Sequence, residues 1–235
     1  MAPVRKSLGL LAVALTAIAC LLTLVPTAQA VDYRVEVIDE PAPSEGIAPE
    51  MHALLAPTGV RVIRGSSRIV CEMWLCKQWA MGEALSAKDI IYPFQFGQLI
   101  GVARYVRKAA DFRDQEILDG LYTMRYSLQP VDGDHVGTSN TRDFLLLLEA
   151  KADRSAKLMK DEEELNEYSS EAAGTSHPAL LSMLRIEKRG EPTPSIRHDE
   201  ENDWWIVRMA SKAANKDGKT QALAFELVVV GYADE

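Results

Sequence analysis

The chain has 235 residues and a formal charge of −8, with 34 acidic against 26 basic side chains. That balance repels phosphate backbones and anionic headgroups, so nucleic acid is excluded as the expected partner. The length suits one substantial core and is short for two.

Residues 1–30 read as a secretion signal: Arg5 and Lys6 form a basic start, Leu8 to Val25 are mostly apolar, and Ala28 to Ala30 ("AQA") fit the small-residue cleavage rule. A lipid anchor at Cys20 is a minor alternative. Threonines interrupt the apolar run and Pro26 follows it, which argues against a retained span of ~20 apolar residues. Residues 31–235 are then expected as a single exported domain, periplasmic or extracellular, with no membrane span after cleavage. Loss of Arg5 and Lys6 leaves 24 basic against 34 acidic residues, a charge of −10.

"VDYRVEVID" alternates as a strand does, and "EPAPSEGIAPE" is a proline-rich connector. Pro49 suits the first turn of a short helix through "EMHALLA", with Met51, Leu54 and Leu55 on one face and His52 at or near the surface. Strands follow in "VRVI" and "SRIVCEMWLCKQW", joined by a turn at "RGSS". The second has apolar residues on both faces, as a central strand would. In it, Cys71 and Cys76 fall on opposite faces with α-carbons roughly 16 Å apart, beyond disulfide reach. Two buried thiols are expected, with an oxidised pair the alternative if the stretch bulges.

"LIGVARYVR" and "GLYTMRYSLQP" form the next pair. In the latter, Tyr122, Met124, Tyr126 and Leu128 point one way and Thr123, Arg125, Ser127 and Gln129 the other, predicting one packed and one wet face. "DFLLLLEA" is apolar throughout, as a strand covered on both sides would be. A helix is predicted over Ser155 to Ala172, stopped by Gly174, its acidic cluster Asp161 to Glu164 solvated. "HPALLSMLRIE" is assigned as strand and "GEPTPSIRHDEEND" as loop. "WWIVRMAS", the turn "NKDG" and "TQALAFELVVVGY" close the chain as a hairpin.

Many strands, one or two helices and no regular alternation between them predict a mainly β fold: an antiparallel, jelly-roll-like β-sandwich decorated with helices, or alternatively a partly closed β-barrel.

The candidate site is the loop over residues 130–143, "PVDGDHVGTSNTRD", far longer than the ~2–5 residues an ordinary hairpin uses. Asp132, Asp134 and His135 converge there on a polar ligand or cation, with Thr141, Arg142 and Asp143 at its exit and His177 arriving from "GTSHPA". The plainer assignment makes Asp132 and Gly133 a turn, Asp134 a cap, and Arg142 with Asp143 a surface ion pair. His135, His177 and Asp134 are the candidate metal ligands; no cofactor is otherwise expected. There is no H-E-x-x-H pair, P-loop, dinucleotide fingerprint or G-x-S-x-G elbow. The adjacent Trp204 and Trp205 point to opposite sides of a strand, so at most one would be free as a sugar platform.

"GLYTMRYSLQPVDGDHVGTSNTRDFLLLL", with "GTSHPALLSM" and "WLCKQW", resembles a group of uncharacterised exported bacterial proteins, over roughly Gly59 to the C-terminus. The resemblance implies export and a single domain, and no activity, cofactor or partner. Two expectations follow for function. The first is a non-catalytic binding or accessory module for a protein, small-molecule or glycan ligand met at loop 130–143. The alternative is a metal-dependent hydrolase using His135, His177 and the loop aspartates.

Overall fold

A computed structural model describes residues 32–82, 90–130, 141–188 and 190–233. Its strand-forming runs pair into one eleven-stranded sheet. In chain order the elements are β1 (Tyr33–Ile38), α1 (Pro49–His52), β2 (Gly59–Arg64), β3 (Arg68–Leu75), β4 (Gln78–Ala80), β5 (Leu99–Tyr105), β6 (Ala109–Ala110), β7 (Glu116–Ile117), β8 (Gly120–Leu128), β9 (Asp143–Glu149), α2 (Glu162–Ala173), β10 (Leu180–Leu184), β11 (Ser195–Asp199), β12 (Trp204–Ala214) and β13 (Thr220–Val230). Neighbours run β1-β2-β3-β5-β8-β9-β10-β13-β12-β11, antiparallel throughout, and β4 joins β12 in parallel. A separate two-stranded ribbon pairs β6 with β7. The fold is therefore mainly β with two helices, and the large sheet curls into a half-barrel, nearer to a partly closed barrel than to two separate stacked layers. Its first strand is brought against its last. No helix among the described residues is long and apolar enough to cross a membrane.

Period-two alternation divides the residues between the faces of the sheet. On the inner face Met73, Met124, Tyr126, Leu145, Leu147, Met183, Phe225 and Leu227 join one large cluster. The segment before β5 plugs it: Phe94 lies 5.1 Å from Trp79, 5.3 Å from Tyr126 and 6.4 Å from Phe225, mostly edge-on as aromatic quadrupoles prefer. The Tyr92 hydroxyl donates to the Leu184 carbonyl at 2.6 Å, so this plug is bonded as well as packed.

On the outer face Leu146 and Leu148 of β9 pack under Leu165 of α2. The helix is shorter than predicted. It begins at Glu162, with the Asp161 carboxylate accepting from the N–H groups of Glu163 and Glu164, and ends at Gly174 in the left-handed conformation. Residues 154–160 before it form an extended strap instead of the expected first turns. A second correction concerns "GEPTPSIRHDEEND", where Ser195–Asp199 is the edge strand β11, paired with the first half of β12.

The largest correction is the face of β8 that was expected to be wet. Thr123, Arg125 and Ser127 are all buried, Arg125 completely. Its guanidinium grips Asp153 with two donors, Nε to Oδ2 at 2.6 Å and Nη2 to Oδ1 at 2.8 Å. The remaining donors go to the carbonyls of Gly97, Ser155 and Lys157, and Thr123 donates to the same Asp153 carboxylate at 2.6 Å. Every donor of the buried cation has an acceptor, which is the condition under which such burial is tolerated.

Breaking this pair strands a charge in the interior. Arg125→Met is expected to lower unfolding stability by about 3–5 kcal/mol, measured by urea denaturation. Arg125→Met combined with Asp153→Leu should cost clearly less than the two single losses added together.

Candidate functional site

Of the predicted site, Asp132, Asp134 and His135 lie outside the described residues. The residues that follow have structural roles. Thr141 is buried and donates to the Met183 carbonyl at 2.6 Å, and Arg142 donates through Nε to the Gln129 carbonyl at 2.8 Å. Asp143 is fully buried, so the surface ion pair expected of it with Arg142 does not form at a surface. Its carboxylate accepts from the N–H groups of Ile91 and Tyr92, at 2.9 and 3.0 Å, and from the Tyr126 hydroxyl at 2.7 Å. Burial holds the Asp143 carboxyl above its usual range despite these three donors. Asp143 thus anchors the aromatic plug to β9.

His177 is exposed in the turn between α2 and β10, where its backbone N–H and carbonyl are both bonded to the Thr175 hydroxyl. His52 contacts the Ala42 carbonyl through Nε2 at 2.8 Å, half-buried as its helix position suggested. His198 contacts Asp203. Among the described residues no three His, Cys, Asp or Glu side chains gather as a metal site would require. Trp204 packs edge-on to Phe112 at 5.2 Å and donates to the Tyr232 carbonyl. Trp205 stacks on His198 at 4.5 Å and meets Tyr33 at 4.6 Å. Both indoles are half-buried and engaged, so the pair joins elements together.

The sequence did not single out the groove, of about 580 Å³, between the 154–160 strap on one side and β4 with residues 95–99 on the other. Arg125 builds one wall by holding the carbonyls of Ser155 and Lys157. Gly97 lets the strap close down: it has φ +71°, and a Cβ there would sit 1.7 Å from the Met159 carbonyl oxygen. Leu54, Leu99 and Leu158 give the groove an apolar component. Cys76 lies at its base, its thiol donating to the Leu99 carbonyl at 3.6 Å.

The polar component is unusual in kind. Gln78, Gln95 and Gln98 contribute three carboxamides, and Lys157 and Lys160 two ammonium groups, with no acidic residue among the described residues of the lining. Gln98 is only 7 % exposed. Its Oε1 accepts from the Gln95 N–H at 2.9 Å, while its Nε2 has no protein partner among the described residues. The Gln98 amide nitrogen is reached by solvent, so it is free to donate to a ligand acceptor in the groove. Lys157 and Lys160 form no ion pair among the described residues, and the nearest carboxylates in the chain are occupied at the strap and the helix start: Glu50 accepts from the Ala156 N–H and Asp161 caps α2.

Comparison with protein-family models, curated proteins and solved structures gives no match to this chain.

Cys71 and Cys76 are both free and buried, as expected, although Cys76 lies just beyond the end of β3 and not within one strand with Cys71. Burial pushes each up to about 12, with Arg125 opposing the shift at Cys76. Iodoacetamide at pH 8 is therefore expected to leave Cys71 and Cys76 unmodified in the native protein and to add two carbamidomethyl groups after unfolding in urea. Intact mass shows either result, and the unalkylated mass should be the same with and without reductant.

Proposed function

We propose that this is an exported, non-catalytic binding or accessory module, and that its ligand is held in the groove between the strap and β4–β5. The carrying observation is the solvent-facing Gln98 amide beside two lysines, with no carboxylate among the described residues of the lining. Amides and ammonium groups of this kind are suited to holding a ligand. Proton transfer would call for groups poised near neutrality within reach of a reacting atom. Elsewhere, the buried carboxylates of Glu72, Glu226 and Asp153 are committed to arginines: Glu72 to Arg61 and Arg104, Glu226 to Arg197 and Arg208, Asp153 to Arg125. The basic, apolar and small-residue order of residues 1–30 supports export. Loop 130–143 stays a second proposed contact surface.

The test uses immobilised full-length mature protein and a detergent extract of the envelope of a producing cell. Lys157→Glu with Lys160→Glu should reduce at least one captured component, identified by mass spectrometry, by about tenfold, with the melting temperature unchanged. Asp134→Ala with His135→Ala tests the loop in parallel. Capture abolished by the loop pair and untouched by the lysine pair would transfer the contact surface from the groove to the loop.

A further inference from the structure

Building on the groove as a binding site, we infer that its ligand is an extended peptide segment bearing carboxylates, which adds as a strand to the free edge of β4. The first support is the edge itself. β4 pairs with β12 along one side, Gln78 to Lys212, Trp79 to Ala213 and Ala80 to Ala214. Just beyond, the Met81 N–H donates to the Ala214 carbonyl. Backbone groups alternate sides along a parallel strand, so Trp79 shares that direction, and the N–H and C=O groups of Gln78 and Ala80 turn to the opposite edge. No strand occupies this edge among the described residues; it is bounded by the Cys76 N–H on the Ile100 carbonyl and the Gly82 N–H on the Pro93 carbonyl, which leaves Gln78 and Ala80, both lining the groove, to take a short strand segment. An unpaired edge beside a groove is the setting in which peptides bind by strand addition.

The side chains indicate what kind of peptide. A carboxamide offers a donor and an acceptor together, as a peptide bond does, so Gln95 and Gln98 are matched to the far edge of an added strand. Leu54, Leu99 and Leu158 receive an aliphatic side chain, and Lys157 and Lys160 receive carboxylates. A glycan is disfavoured by the lining, which has no aromatic ring on which a sugar could stack.

The probe is a fluorescein-labelled octapeptide of alternating leucine and glutamate, with leucine–lysine and leucine–glutamine octapeptides for comparison, read by fluorescence anisotropy against the mature protein. The acidic peptide should bind at least about tenfold more tightly than the basic one, and its affinity should fall as salt rises. Lys157→Glu with Lys160→Glu should remove that preference. Ala80→Pro deletes an N–H on the free edge while sparing the ladder with β12, and should weaken the acidic peptide about tenfold or more. Methylation of alternate peptide nitrogens tests the same bonds without altering the protein. Undiminished binding of both N-methylated isomers overturns strand addition. Equal binding of acidic and basic peptides overturns the assignment of Lys157 and Lys160. Binding of an oligogalacturonate in place of all the peptides would overturn the peptide class and leave the groove reading standing. If no probe binds, the peptide proposal fails; continued lysine-dependent capture from the envelope extract would then show that the groove reading survives it.

Discussion

The Arg125–Asp153 pair is the constraint on which the arrangement of the outer face depends. Arg125 lies near the centre of the sheet on β8, flanked by β5 and β9, and its donors reach three separate pieces of chain. It holds the Gly97 carbonyl before β5, the Asp153 carboxylate after β9, and the strap at Ser155 and Lys157. A hydrophobic contact of the same area would stabilise without fixing register. A planar fork with five donors fixes where each acceptor must lie. The strap therefore arrives at one position, and α2 starts from there over Leu146 and Leu148.

The same solution recurs around the outer face. Glu72 on β3 is fully buried and sits directly across the ladder from Arg61 on β2 and Arg104 on β5. Glu226 on β13 is likewise paired across the ladder with Arg208 on β12 and is reached by Arg197 of β11. Each cluster spans three neighbouring strands, and each arginine in the flanking positions keeps its stem on the sheet while its head completes the pairing. The two ends of the sheet meet by a different means. Tyr33 of β1, Trp205 of β12 and His198 of β11 stack across the closure, and the Arg64 guanidinium lies 5.8 Å from the Tyr33 ring. Ring packing takes the place of a backbone ladder there, which accounts for Trp205; Trp204 packs instead on Phe112.

How much of this could be read from the sequence depends on whether the information was local. Alternation and turn residues located the hairpin of β12 and β13, the doubly covered β9 and the central strand β3. What alternation could not say is what covers a face. The polar side of β8 was taken as wet because Thr123, Arg125 and Ser127 are polar, although its neighbour β9 is apolar on both faces. Strands adjacent in one sheet share their cover, so the pairing of Arg125 with Leu146 already required a buried counter-charge for the arginine. Asp153, beyond the end of β9, is that partner, and nothing in its immediate surroundings marks it. β11 escaped detection for a related reason: five half-buried residues among prolines and charges carry no periodic signal, and β12 alone makes them a strand. Asp143 and Thr141 drew attention as site residues because polar side chains at a loop exit look available, yet both are consumed by backbone partners.

The groove was invisible for the opposite reason, because its parts come from distant stretches. Gln78, Gln98 and Lys157 are unremarkable in their own contexts and acquire meaning only when Arg125 lays the strap beside β4. Structure and binding are therefore coupled through one residue. The guanidinium that satisfies Asp153 also holds the Lys157 carbonyl, in the strap whose Lys157 and Lys160 line the groove together with Gln78 and Ala80 of β4. The lysines sit on exposed strap positions where desolvation is slight, and the buried arginine beneath them is already neutralised by its own carboxylate. The strap that carries these two lysines takes its rigidity from the pair underneath.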